Sequence, residues 1–198
     1  DADPQGDLTT CLGWNDADNL QNTLSDKMME VVQGKENNPF NGILHHKEGV
    51  DLMPSSSDLF DFEISLVTAM NREVILKSYL SEVKDKYDYV LIDCSPSLGM
   101  MTLNSLSAAD SVIIPIQCEY YALEGLSQLI HTVNLVKERL NPDLDIEGVV
   151  FTMFDARTNL SIQVVENVKS HLTQRVFKTV IHTKKYQISR SSQLWNTY

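Results

Sequence analysis

Residues Tyr87 to Gly99, YDYVLIDCSPSLG, contain the carboxylate whose chemistry is easiest to read. Tyr89-Val90-Leu91-Ile92 is an apolar run, short enough for a strand buried on both faces of a parallel sheet. It stops at Asp93, and Ser95, Pro96, Ser97 and Gly99 then turn the chain. A carboxylate at the carboxyl end of such a strand sits where open α/β sheets place their ligands. Four apolar residues ending in Asp is also an arrangement that holds Mg²⁺ beside a phosphate. The plainer alternative is an aspartate that caps a loop, and this stretch alone leaves both open. Two other candidate groups carry less. His45 and His46 are adjacent, so their side chains point apart on a strand or a helix, and an exposed pair is expected rather than a shared metal site. Cys11, Cys94 and Cys118 are far apart and lack CxxC spacing, which suggests neither a disulfide framework nor a zinc site.

Three further stretches accompany Asp93 in order. The chain opens D-A-D-P-Q-G-D, from Asp1 to Asp7. P-I-Q-C-E-Y-Y-A-L-E-G-L runs from Pro115 to Leu126, and T-M-F-D-A-R-T-N-L from Thr152 to Leu160. With D-C-S-P-S-L-G after Asp93, these resemble the ParA/Soj-type partition ATPases, the deviant-Walker (MinD/ParA) branch of the P-loop nucleotidases. The resemblance covers Asp1 to about Ile181. It implies that Asp93 is a Walker-B aspartate holding Mg²⁺, mostly through water. Asp1, Pro4, Gln5, Gly6 and Asp7 would belong to switch I, and Asp3 would be the catalytic carboxylate that orients or deprotonates the attacking water. Asp7 stands where the family more often has Asn. The turn from Ser95 to Gly99 would match switch II, and Met153, Phe154 and Asp155 would lie near the adenine. ATP and Mg²⁺ are the implied cofactors. The implied partners are a second copy on ATP binding, nonspecific DNA, and a ParB/Spo0J-like protein that stimulates hydrolysis. The cargo would be a chromosome or a plasmid, and the protein cytoplasmic and nucleoid-associated.

The pattern departs from the family in two places. No G-x-x-x-x-G-K-[ST] occurs in the 198 residues. The backbone N–H groups and lysine that cradle β- and γ-phosphates are thus not among them. The resemblance puts that loop, its supporting strand and a second lysine before Asp1. Together with a first residue other than Met, this suggests a fragment, one incomplete domain whose parent is an ATPase and which does not itself hydrolyse ATP. The absent strand would leave one flank of the Asp93 strand unpaired. At the other end, residues 182–198 diverge, and Lys184, Lys185 and Arg190 read as a polar tail rather than a DNA patch. The alternatives are another deviant-Walker ATPase, MinD-like, with a membrane or metal-cluster client, and a non-catalytic α/β binding remnant.

The elements that must position these residues follow from patterning. A hydrophobic content of 42% over 198 residues suits one α/β domain. No apolar run approaches the ~20 residues of a membrane span. A net charge of −11 argues against a whole-surface grip on DNA or anionic lipid. Residues 1–13 read as a loop. Residues 19–34 read as a surface helix packed on the sheet, with no chemistry assigned. Residues 50–54 read as a short strand followed by a helix near Leu59. An amphipathic helix over 72–86 buries Val74, Ile75, Leu76, Leu80 and Val83. Then come a helix over 100–109, a strand over 111–116, and a helix whose Leu126, Leu129, Ile130, Val133, Val136 and Leu140 keep i, i+3, i+4, i+7 spacing. A strand over 146–154, a helix over 160–172 and a strand over 176–181 complete the alternation. The fold class expected is α/β, a doubly wound, mostly parallel sheet with helices on both faces.

Overall fold

The computed structural model describes residues 1–119, 122–171 and 175–182. Tyr120 and Tyr121, and the divergent tail with Lys184, Lys185 and Arg190, lie outside the described residues. The chain divides into two compact units, one of residues Asp1–Ser111 and His131–Asp145, the other of Val112–Ile130 and Ile146–Tyr198.

The first unit is mainly helical. It contains α1 (Asp7–Cys11), α2 (Leu24–Gln33), α3 (Asp58–Ser65), α4 (Ile75–Val83) and α5 (Met100–Ala108), with a small antiparallel pair, β1 (Leu44–His45) and β2 (Asp51–Leu52). Its core joins Ala2, Leu24, Met28, Leu59, Phe62, Leu66, Ile75, Leu76, Tyr79, Val83 and Met101. Ile75, Leu76 and Val83 are buried as the amphipathic pattern of α4 requires, and Tyr79 joins them with its hydroxyl donating to Pro39 O. The helix expected over 19–34 begins later, at Leu24, where Asp26 accepts the Thr23 N–H at 2.9 Å. It ends at Gly34, which adopts φ 63°. It packs on α3 and α4 rather than on a sheet.

Helix ends in this unit are closed by side chains distant in sequence. Asn104, fully buried in α5, accepts the Leu76 N–H at 3.1 Å and donates to Arg72 O at 2.8 Å, which closes the start of α4. Glu63 of α3 accepts the Met101 N–H at 2.8 Å at the start of α5. Asn141 donates to Leu106 O at 3.0 Å and Ala109 O at 2.7 Å at the end of α5. Each supplies a partner for a backbone group that a helix terminus leaves without one.

The second unit holds a three-stranded sheet of order β3 (Ser111–Gln117), β4 (Asp145–Phe154) and β5 (Val176–His182), with β4 and β5 parallel. Its strands alternate with α6 (Ala122–Arg139) and α7 (Asn159–His171), the α/β alternation expected from the sequence. Ile114, Ile116, Leu126, Val149, Phe151, Val164 and Val168 make its core. No helix among the described residues is long and apolar enough to cross a membrane.

One expectation is overturned. Residues 89–92 are not a strand buried on both faces: Tyr89 is 87% exposed and Leu91 84%. Among the described residues, the only bridge along this stretch is the parallel one between Ala2 and Cys94. A β-propensity run without ladder partners keeps its side chains in water, because pairing and face-packing are what bury a strand. The opening loop also contains α1, which the sequence did not suggest. His45 and His46 do point apart, as expected. His45 donates to Asp51 and holds its carboxyl below the usual range, and His46 stands edge-on to Trp14, with ring centroids 5.9 Å apart.

Two outcomes follow from this packing. Asn104→Leu leaves the Leu76 N–H and the Arg72 C=O buried without partners, at ~1–3 kcal/mol each, so roughly 3 kcal/mol of stability should vanish in a urea melt. Tyr87 donates to Asp51 at 2.9 Å; burial first, and that hydrogen bond second, push its pKa up to about 12. The unfolded chain releases this proton near the ordinary value of about 10, whereas the folded chain retains it, so stability should fall as pH rises from about 10 toward 12. Unfolding midpoints measured across that window should fall less steeply for Tyr87→Phe than for the unaltered chain.

Candidate nucleotide-hydrolysis site

The two acidic motifs meet through the backbone. Ala2 N donates to Asp93 O at 2.8 Å, and Ala2 pairs in parallel with Cys94. Side chains alternate along extended chains, so Asp1 and Asp3 project to the side that Asp93 uses, while Ala2 turns into the core at 1% exposure. On the other flank, Asp1 N donates to Met53 O at 3.1 Å.

Asp1 is the organiser of the opening loop. Its Oδ1 accepts the Asp3 N–H at 3.2 Å, and its Oδ2 accepts both the N–H and the hydroxyl of buried Thr9, at 2.9 and 2.8 Å. The Thr9 hydroxyl in turn accepts the Ser55 N–H at 3.1 Å. Asp3 closes the turn itself: Oδ1 accepts the Gln5 N–H at 2.9 Å and its carbonyl accepts the Gly6 N–H at 3.0 Å. Gly6 adopts φ +64°, and a Cβ there would stand 3.3 Å from Ser55 O, so glycine suits both the conformation and the close approach. Pro4 is buried, Gln5 exposed, and Asp7 places its negative charge in the first turn of α1.

Asp93 is exposed, and its carboxylate makes no hydrogen bond to a described residue. The turn after it is anchored where Thr102 Oγ1 donates to Ser97 O at 2.5 Å and Ser95 Oγ donates to Ser97 Oγ at 3.2 Å. Desolvation raises the pKa of the Cys94 thiol.

This arrangement can do two things. A half-buried carboxylate fixed at one oxygen, as Asp3 is, can orient a water with the other. A free carboxylate beside it, as Asp93 is, can hold a divalent cation through water. No cluster of three or more His, Cys, Asp or Glu among the described residues is placed to hold a metal alone. A cation at Asp93 would therefore complete its shell with water or phosphate oxygen, as Mg²⁺ ordinarily does. The residues thus fit the metal side of a magnesium nucleotide. The phosphate side has no glycine-rich loop and lysine within this sequence.

Met153, Phe154 and Asp155 belong to the second unit, at the carboxyl end of β4. Met153 is half exposed with φ 53°, and Phe154 packs edge-on to His182 with centroids 5.5 Å apart. Asp155 binds Arg157, with Nε donating to Oδ1 at 2.8 Å. So the structure brings Asp1, Asp3 and Asp93 together, and the residues expected near the adenine occupy a strand end of their own unit. Sequence reasoning missed Thr9, Ser55 and Glu63. None of them left a signal: Thr9 lies just past the opening motif in what reads as a loop, and the other two act through contacts 46 and 38 residues away.

Residues 1–146 match a family model described as an AAA domain. The chain is 50% identical over 181 residues to the sporulation initiation inhibitor protein Soj of Bacillus subtilis, covering 91% of this chain and 70% of that protein. It is 46% identical over 183 residues to the chromosome partitioning protein ParA of Myxococcus xanthus, covering 91% of this chain and 62% of that one. Among solved structures, it resembles a cobyrinic acid a,c-diamide synthase from Mycobacterium smegmatis with bound ATP analog and magnesium. The TM-score is 0.83 at 38% identity, over 93% of this chain and 73% of that one. It also resembles a plasmid partition protein from Borrelia burgdorferi, with a TM-score of 0.73 at 26% identity over 92% and 74% of the two chains. The fold is of the P-loop nucleotidase type, and the chain belongs to the ParA/Soj family of chromosome-partitioning ATPases.

Proposed function

We propose that this chain supplies the switch and metal side of an ATP-driven partition machine. ATP with Mg²⁺ drives two copies together, the dimer holds nonspecific DNA, and a ParB/Spo0J-like protein stimulates hydrolysis and release. The observation that carries the reading is the Ala2–Cys94 bridge, which sets Asp3 and Asp93 on one side of adjacent chain segments. Asp3 orients the attacking water, held in place by Asp1, whose Oδ1 accepts the Asp3 N–H, and by its own turn to Gly6. Asp93 holds Mg²⁺ through water. Pro4, Gln5, Gly6 and Asp7 form switch I with them, and Met153, Phe154 and Asp155 line the adenine side. Mg²⁺, when bound, neutralises charge developing on the phosphate oxygens. The phosphate cradle of the deviant-Walker type is contributed by residues outside this sequence, and the chain acts as one nucleotidase domain in the cytoplasm, on the nucleoid.

The DNA step rests on the likeness to the chromosome-partitioning relatives and not on composition, since the net charge is −11 and Lys184, Lys185 and Arg190 read as a polar tail. The cargo is a chromosome or a plasmid.

The 198-residue chain alone should show no micromolar affinity for a fluorescent ATP analogue in Mg²⁺; saturable binding there would overturn the division of labour. Joined to the phosphate-binding segment of Bacillus subtilis Soj, it should hydrolyse ATP. In that chimera, Asp3→Ala should abolish turnover while nucleotide binding persists, and unchanged turnover would remove Asp3 from the water's path. Asp93→Ala should weaken Mg²⁺-dependent binding as well as turnover, as read by titrating Mg²⁺ at fixed nucleotide. A fall in turnover with Mg²⁺ affinity intact would mean that Asp93 is not the metal's carboxylate.

A further inference from the structure

Asn41 is the only asparagine in the 198 residues that precedes a glycine. The pair lies in the turn between α2 and β1, and Asn41 is exposed. Asn41 N donates to Asn38 O and Ile43 N to Phe40 O, both at 3.2 Å, so the backbone is held on either side. Between these bonds, the Asn41 side-chain amide and the Gly42 N–H make no hydrogen bond to a described residue.

Only glycine suits position 42. It adopts φ +91°, a conformation that L side chains rarely take, and a Cβ there would overlap Asn22 O. Asn22 immediately precedes Thr23, where α2 is capped. The close approach that fastens this turn to the start of α2 therefore requires the residue whose bare backbone is most open to attack on the preceding side chain.

We propose that Asn41 is a site of spontaneous deamidation and isoaspartate formation. The Gly42 nitrogen, its proton taken by hydroxide, attacks Asn41 Cγ. The new C–N bond closes a succinimide ring, and the side-chain nitrogen leaves as ammonia with a proton from water. Water then opens the ring at either carbonyl, giving aspartate or, with the backbone rerouted through Cβ, isoaspartate. The net change is amide and water to acid and ammonia, with nothing oxidised or reduced. The new linkage reaches the fold. Lys27 Nζ donates to Asn38 O at 3.3 Å, the Tyr79 hydroxyl to Pro39 O at 3.1 Å, and Phe40 packs against the core of the first unit. The chain is thus anchored before Asn41, and Gly42 against Asn22 anchors it after. Isoaspartate adds one backbone atom between the two anchors, so Phe40 or Gly42 must give way and the start of α2 loosens as the protein ages. This inference does not depend on the hydrolytic reading.

The test is incubation of the folded chain in warm, mildly alkaline buffer, with peptide mass spectrometry at intervals and methylation by an isoaspartyl methyltransferase as the probe. The Asn41 peptide should shift from amide to acid mass ahead of exposed Asn15, which precedes Asp16, and should accept methyl groups. The shift should quicken as pH rises and be lost in Asn41→Gln. The proposal is overturned if Asn41 deamidates no faster than Asn15, or if it does so only when the chain is unfolded in urea, since the folded turn would then protect it. The methyl-accepting form should also melt at lower urea than Asn41→Asp, which carries the same charge on an ordinary linkage. Equal midpoints would overturn the loosening of α2.

Discussion

The hydrogen bond from Ala2 N to Asp93 O is the constraint on which the candidate site depends. It joins segments 91 residues apart and sets their register, so that alternation alone decides which side chains share a side. A slip of one residue would turn Asp3 toward the core and expose Ala2. Two features oppose that slip. Ala2 is small and apolar enough to be buried in the helical core, whereas a carboxylate there would be desolvated without a partner. On the other flank Asp1 N donates to Met53 O, and Asp1 through Thr9 is tied to Ser55, contacts that a slip would break.

Outward from that bond, the first unit is tied by polar side chains in places where apolar contact alone would leave helix ends open. Asn104, Glu63 and Asn141 each close a terminus contributed by a different part of the chain. Burial makes these bonds specific: a displaced helix would strand an N–H or C=O away from water. The unit that carries the aspartates therefore has little freedom to shift one helix without disturbing the next. That is a useful property where carboxylates must hold water and metal at fixed distances.

The exposed run at Tyr89–Leu91 shows the opposite situation. Its residue types suit a buried strand, yet burial requires a neighbour, and the described ladder reaches only Ala2. The same logic governs α3. Its inner residues Leu59 and Phe62 are buried while Phe60 and Ile64 are not, because one stripe has a core beside it and the other has water.

Composition and periodicity sufficed for the α/β alternation, for the core faces of α4 and α6, and for the separation of His45 from His46, because these depend on spacing along one element. The motifs around Asp3 and Asp93 sufficed for the family, because a short acidic loop and an apolar run ending in aspartate are local signals. Sequence could not show that Asp1 would clamp Thr9, that Ser55 would complete the clamp, or that Glu63 and Asn104 would close helices far from themselves. Nor could it show that residues 89–92 lie open. Each of these outcomes is a contact between distant segments, and whether a side chain is buried, bonded or bare is decided only when the fold supplies or withholds the partner.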